Sequence, residues 1–318
     1  MAAAPSPLRG RTLARDLCAL LGAGTASSDA AELKAVAGDP WPRLRMSARA
    51  GRALPLAEVV AWPRDVTEVS RIVGYAAERQ IPIVPVGGRS GQSGACVAER
   101  GGIALSLSRL SGMPRVDLPS RVVDVEAGLL GARLADVLDA EGASLGHQPD
   151  DLSQATVGGW MATRSASEAS SRAGAIEDLV LSLTAVDGTG QILRTIDGPS
   201  SGLDLVPLLL GSEGTLCVFT SAHLRIFPAA KARWTRALRF SSMERGLDAM
   251  RRLVRAGLRP SLCTLLDPLE ALLEQRAARG SERLPMPLRW VVDLGSAEAL
   301  RLALRAPWLL NSLVEALP

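Results

Sequence analysis

Residues 81 to 94, Ile-Pro-Ile-Val-Pro-Val-Gly-Gly-Arg-Ser-Gly-Gln-Ser-Gly, constrain the fold of this chain more than any other stretch. An apolar run that alternates too little for an exposed strand predicts one buried on both faces, from Ile81 to Val86. It leads straight into a turn with glycine at 87, 88, 91 and 94. Glycine there permits positive φ and close backbone approach, and successive amides in such a turn form a nest for an anion such as a diphosphate. Ser90 and Ser93 add hydroxyl donors. A plain glycine-rich β-turn has the same composition, so the loop alone leaves both readings open. Two better-known phosphate loops do not fit. There is no Gly-Lys-Ser/Thr, and no Gly-x-Gly-x-x-Gly opening a helix.

Two later segments share this character. Residues 147–166, His-Gln-Pro-Asp-Asp-Leu-Ser-Gln-Ala-Thr-Val-Gly-Gly-Trp-Met-Ala-Thr-Arg-Ser-Ala, surround a glycine pair with small and hydroxylated side chains. Residues 211–220, Gly-Ser-Glu-Gly-Thr-Leu-Cys-Val-Phe-Thr, place a tight turn before an apolar strand.

The rest of the chain predicts an α+β protein. A leader, residues 1–54, reads as helical and irregular, with an amphipathic helix around Leu13, Leu17, Leu20 and Leu21 and a break at Gly38-Asp39-Pro40-Trp41-Pro42. Its acid-poor, arginine-bearing start also has the look of a transit peptide. From Asp65, an N-cap with Glu68 three residues on, the spacing of Val66, Val69, Ile72, Val73 and Ala76 predicts a helix. Strands are expected at 102–110 and 121–126, and a helix from Leu130 to Glu141, stopped by Gly142. A hairpin through Gly188-Thr189-Gly190 should join 178–187 to 191–196, followed by a strand over 215–226. Without regular βαβ repetition, α+β is favoured over a doubly wound sheet. After Pro228 a small α/β layer is expected: strands at 234–240, 260–266 and 288–294, and helices at 243–256, 268–278 and 297–306.

Composition excludes several classes. The chain has 318 residues, 47% of them hydrophobic, which is enough for two domains. A net charge of +3, with arginines scattered along helices, gives nucleic-acid binding little support. Cys18, Cys96, Cys217 and Cys263 lie far apart without C-x-x-C pairing, so neither a zinc site nor a disulfide framework is indicated, and a reducing cytoplasm is expected. No uninterrupted apolar run reaches membrane-spanning length. Only two histidines exist, His147 and His223, and with no serine elbow a hydrolase triad or metal centre has poor support. His147 reads either as an acid or base near a substrate or as a turn histidine. His223 reads as structural.

The three glycine-bearing segments in this order, with Val60-Ala61-Trp62-Pro63-Arg64-Asp65 leading in, resemble the FAD-binding domain of the vanillyl-alcohol oxidase and p-cresol methylhydroxylase (PCMH-type) flavoprotein family. Gly146-His147-Gln148-Pro149-Asp150, Thr156-Val157-Gly158-Gly159-Trp160 and Ile176-Glu177-Asp178-Leu179 look most like the alkylglycerone-phosphate synthases and bacterial FAD-linked oxidases. The resemblance implies a two-subdomain FAD-binding fold over residues 55–228, followed by a shortened cap domain over 229–318. It implies that Pro85, Val86, Gly87, Gly88, Arg89, Ser90 and Gly91 cradle the diphosphate. Asp150, Asp151, Leu152, Ser153, Gln154, Ala155 and Thr156 would run beside the flavin, with Thr163, Arg164, Ser165 and Ala166 continuing that wall. Glu213, Gly214, Thr215, Leu216, Cys217, Val218 and Phe219 would contact the far side. For Glu213 a purely structural turn role competes.

Departures from the family pattern matter as well. Arg89 replaces a glycine, either pairing with the diphosphate or distorting the loop, and Cys217 and Phe219 replace smaller or branched residues. No histidine lies in the loop, so FAD is expected to be non-covalent. Thr264, in Leu262-Cys263-Thr264-Leu265-Leu266-Asp267, stands where synthase-like relatives carry an arginine. The implied activity is an FAD-dependent oxidoreductase acting on a small hydroxy acid or alcohol through flavin N5. Alternatives are a synthase-like transferase of ether lipid synthesis, or a flavin-binding protein with incomplete catalytic machinery. The catalytic residues and electron acceptor are not legible, and a homodimer or partner chain completing the cap is expected.

Overall fold

The computed structural model describes residues 7–149, 151–167, 169–196, 203–232, 234–267 and 270–271. In chain order the elements are α1 (Pro7–Leu21), β1 (Ala26–Ser27), α2 (Ala30–Val36), α3 (Pro42–Arg49), β2 (Val59–Ala61), α4 (Val66–Glu78), β3 (Ile83–Val86) and β4 (Ile103–Ser106). There follow β5 (Arg115–Asp117), β6 (Val122–Glu126), α5 (Gly131–Ala140), β7 (Ala143–Ser144), α6 (Val157–Thr163), α7 (Ser170–Ala173), α8 (Ile176–Leu179) and β8 (Val180–Asp187). The last are β9 (Ile192–Arg194), α9 (Leu205–Leu209), β10 (Cys217–Arg225), β11 (Phe227–Pro228) and α10 (Met243–Arg255). The contacts divide the chain into two compact units, Met1–Trp234 and Thr235–Pro318.

In the first unit β2, β4 and β3 pair in parallel, and β1 adds antiparallel to β2, in the order β1-β2-β4-β3. The helix α4 makes the crossover from β2 to β3. Asp65 starts it by accepting the Glu68 amide at 2.8 Å, the N-cap bond expected from the sequence. Val69, Ile72, Val73 and Ala76 form its buried face, and Leu13, Leu17 and Leu21 do the same for α1. A second sheet is wholly antiparallel, in the order β5-β6-β10-β8-β9.

The two sheets share one apolar core, and α4 touches both layers by packing on β8. Where the β8–β9 turn meets α4, Ser70 Oγ donates to the Gly190 carbonyl at 2.5 Å. A Cβ on Gly190 would stand 2.8 Å from the Ser70 carbonyl oxygen. That approach, together with φ +92°, requires glycine.

The mixed α+β architecture agrees with the sequence reading, with three corrections. The strand expected over 81–86 is an edge strand, half-buried along Ile83, Val84 and Pro85. An edge is where Pro85, lacking an N–H, is tolerated. In the second unit, residues 234–240 and 260–266 form no strand. Trp234 is 79% exposed and Leu238 is 69% exposed, and strand propensity reflects packing on a half-buried surface more than an intrinsic backbone preference. The helix expected there is present as α10. The elements expected over 268–278, 288–294 and 297–306 lie outside the described residues, apart from 270–271. Among the described residues no helix is long and apolar enough to cross a membrane.

Candidate functional site

The loop after β3 meets the second glycine-bearing segment directly. A Cβ on Gly88 would overlap the Gln154 carbonyl oxygen, and one on Gly87 would sit 2.5 Å from Thr156 Oγ1. Both positions need glycine for proximity, because neither has positive φ. Of the loop glycines Gly94 alone, at φ +86°, has the left-handed conformation expected of them, and Arg89, at φ +57°, shares it. Arg89 is therefore a non-glycine residue in a conformation that glycine adopts more readily.

The segment 151–156 is held from its other side by α5. The Gly131 and Ala132 amides donate to the Ala155 and Leu152 carbonyls, each at 2.9 Å. Thr156 then caps α6, its Oγ1 accepting the Gly159 amide at 3.2 Å. The other end of α6 receives the third segment. Gly211 and Glu213 donate their amides to the Met161 and Ala162 carbonyls, at 2.9 and 3.0 Å. Gly214 closes the circuit, since a Cβ there would lie 3.1 Å from Pro85 Cδ. Each segment thus touches the other two around the C-terminal end of β3.

The side chains divide into two groups. Thr156 and Leu152 serve structural roles at the segment's rim, Leu152 packing on the core. Thr163 Oγ1 bonds back to the Gly159 carbonyl at 3.0 Å. Arg164, at φ +50°, donates Nε to the Leu210 carbonyl at 3.0 Å and Nη2 to the Pro207 carbonyl at 2.5 Å. It also pairs with Glu177 at 3.3 Å, so its guanidinium fastens the third segment to α6. Ser165 and Ala166 follow the helix end, with the Ser165 amide bonded to the Trp160 carbonyl at 2.9 Å. Glu213, also left-handed at φ +48°, acts in the turn through its amide. Ser90, Gly91 and Thr215 line the turns, and Leu216 is exposed. Cys217, Val218 and Phe219 begin β10 buried in the core. Burial pushes the Cys217 thiol up to about 11, which keeps it protonated. Asp150 lies outside the described residues.

An open cavity of about 200 Å³ adjoins this junction, between Val73, Ala76 and Ala77 of α4, Pro85, and the Gly214–Val218 stretch. Sequence reasoning missed the α4 contribution, because the apolar face of that helix carries no signal beyond packing. It also missed Asp39 and Trp41. The Asp39 carboxylate accepts the Gly94 amide at 2.9 Å from a leader segment that reads in sequence only as a chain break.

The two histidines separate cleanly. His147 is buried against Trp160, ring centroids 4.9 Å apart and nearly perpendicular. Both its ring nitrogens and Trp160 Nε1 lack partners, and burial pulls its pKa down to about 4. His223 bonds Ser182 Oγ through Nδ1 at 3.1 Å and faces Asp124 from Nε2 at 3.9 Å. These three residues stand in register on β8, β10 and β6, a cross-strand polar row in which the serine and the carboxylate sit on the opposite nitrogens from those of a hydrolase triad.

Residues 57–196 match the model of the FAD binding domain family. Alkyldihydroxyacetonephosphate synthase of Caenorhabditis elegans is 29% identical over 78% of this chain and 42% of its own length. D-lactate dehydrogenase of Archaeoglobus fulgidus is 35% identical over 76% of this chain and 53% of its own length. A solved alkyldihydroxyacetonephosphate synthase superposes with a TM-score of 0.74 at 26% identity, over 83% of this chain and 49% of its own. The chain thus spans about half the length of these relatives, or less. The family match covers the loop after β3 and the 151–156 segment packed against it. Residues 57–196 are thus an FAD-binding domain of the kind found in the PCMH-type flavoproteins.

Proposed function

We propose that the protein is an FAD-dependent oxidoreductase that oxidises a small hydroxy acid or alcohol, with FAD held non-covalently. The observation that carries this reading is the meeting of the three glycine-bearing segments at the end of β3, where Gly87 and Gly88 admit close backbone approach. Bound FAD supplies the hydride-accepting chemistry. The chain's own part is to hold and orient it. The amides of residues 87–91 and the Arg89 guanidinium would hold the diphosphate, and Thr156 and α6 would support the flavin side. The cavity beside Pro85 and Gly214, at about 200 Å³, is smaller than the roughly 300–1,000 Å³ of a whole-ligand site. It suits one flat ring of the dinucleotide. Protonated Cys217 offers no thiolate there.

The dehydrogenase reading is favoured by the higher identity to D-lactate dehydrogenase and by Thr264, which cannot give an anionic headgroup the bidentate grip of an arginine. A second reading, transfer without net redox as in the synthases, is favoured by the structural superposition. Anaerobic titration of the purified yellow protein with D-2-hydroxy acids and short alcohols separates the two. Bleaching of the visible flavin band, reversed by an artificial acceptor, is expected. An unchanged band, together with exchange of acyl for alkyl on dihydroxyacetone phosphate, would replace the first reading with the second.

A further inference from the structure

We propose that Asp39 and Trp41 of the leader are positioning residues for the cofactor loop, a role that rests on FAD binding at residues 87–91. Both lie outside the residues matched by the family model. The Asp39 carboxylate serves two amides at once, Oδ1 accepting from Trp41 at 3.1 Å and Oδ2 from Gly94 at 2.9 Å. The first bond closes the turn between α2 and α3, and the second ties that turn to the far end of the loop. The Trp41 ring presses on the same glycine. A Cβ on Gly94 would stand 2.6 Å from its Cε3, and Gly94 has φ +86°. Asp39 Oδ2 also lies 3.8 Å from where a Cβ on Gly91 would be. Arg43 stacks over the outer part of the ring, 5.3 Å from its centroid.

The loop is therefore gripped at both ends, by Thr156 and Gln154 at Gly87 and Gly88 and by Asp39 and Trp41 at Gly94. A loop held in its binding shape pays less ordering entropy when the ligand arrives. Electrostatics alone would not put a carboxylate here, because like charges repel across so short a distance. Geometry explains it, and the two explanations predict opposite signs. If Asp39 acted only as a charge, removing that charge would tighten FAD binding. As a positioning residue, its loss weakens binding.

The test is FAD affinity and association rate in the full chain for D39N, D39A, W41A and W41F, beside D29N as control. Asp29 caps α2 by accepting the Ala31 and Glu32 amides and does not touch the loop. Removing a charged hydrogen-bond partner should weaken FAD on the order of tenfold, mainly through slower association. D39N should also weaken it, since the amide puts an NH2 donor where one of the two carboxylate oxygens accepts an N–H. W41A should weaken it, and W41F should restore it. D29N, which keeps the single oxygen that accepts both amides, should leave thermal stability and FAD affinity unchanged, so that an effect of D39N marks the loop contact and not the loss of a leader carboxylate. Tighter binding in D39N, or unchanged affinity in D39N and W41A, overturns the proposal. If D39A fails to fold, the near-isosteric D39N decides. A wild-type protein that takes up no FAD would instead mark failure of the cofactor reading.

Discussion

At the scale of single residues, His147 gives the sharpest test of the site's interior. Its imidazole is 2% exposed, without partners on either nitrogen, and its pKa falls from 6.5 to about 4 because burial disfavours the cation. A depressed histidine pKa means that the unfolded chain binds the extra proton first. Between pH 6.5 and about 4 stability therefore falls with acidification, and above that window the contribution is fully present. The loss across the window is on the order of 3 kcal/mol. Urea midpoints measured from pH 7.5 to 4 should show this slope, and His147→Phe, which keeps a ring against Trp160, should flatten it. An identical slope in the variant would mean that other groups govern the acid limb.

Single residues were unevenly legible. Gly87 and Gly88 could be picked out as positions that need glycine, although the reason is proximity, to the Thr156 side chain and the Gln154 carbonyl, and not positive φ. Arg89 could not be placed in a left-handed conformation from its identity. Asp39 could not be linked to Gly94, because 55 residues separate them and nothing local to either marks the pairing.

Among the elements, those with a strong period or a clear stop were legible in sequence. The helix α4 has its cap and apolar face, α5 ends at Gly142, and the β8–β9 hairpin turns at Gly188-Thr189-Gly190. The short helix α6 was not anticipated, because its second and third residues are Gly158 and Gly159, each of which lowers helix propensity by about 1 kcal/mol relative to alanine. Packing reverses that preference. A Cβ on Gly158 would stand 2.9 Å from the Ala127 carbonyl oxygen, so a better helix former would not fit. The strands expected over 234–240 and 260–266 are not formed, although their composition favours strand, and Trp234, Leu238 and Leu262 stay exposed.

The contact between the β3 loop and the 154–156 segment is the element-level joint on which the proposed cofactor binding rests. Gly88→Ala should force the two apart, costing about 1–3 kcal/mol in stability and lowering FAD affinity severely. Gly188→Ala adds its methyl to open space at negative φ and should leave both unchanged. Calorimetry and flavin titration on the pair check this, and a Gly88→Ala protein that binds FAD normally would show that the joint does not shape the site.

For the whole molecule, the division of contacts bears on where cofactor binding resides. All three glycine-bearing segments, the leader strap and the cavity beside Pro85 lie in the unit Met1–Trp234. That unit holds the continuous apolar core, with α1, α4, α5, α6, α8 and both larger sheets supplying its walls. Residues from Thr235 onward form a separate unit, whose described part contributes one regular element, α10. A chain ended after Trp234 is therefore expected to fold cooperatively and to take up FAD with the affinity of the full chain, because nothing that shapes the cradle is removed. Flavin fluorescence titration and thermal melts of the two proteins make the comparison. Loss of FAD binding in the shortened chain, with its fold intact by circular dichroism, would show that residues beyond 234 complete the cofactor site. Retention of binding together with loss of substrate-driven bleaching would place cofactor capture in the first unit and substrate handling in the second.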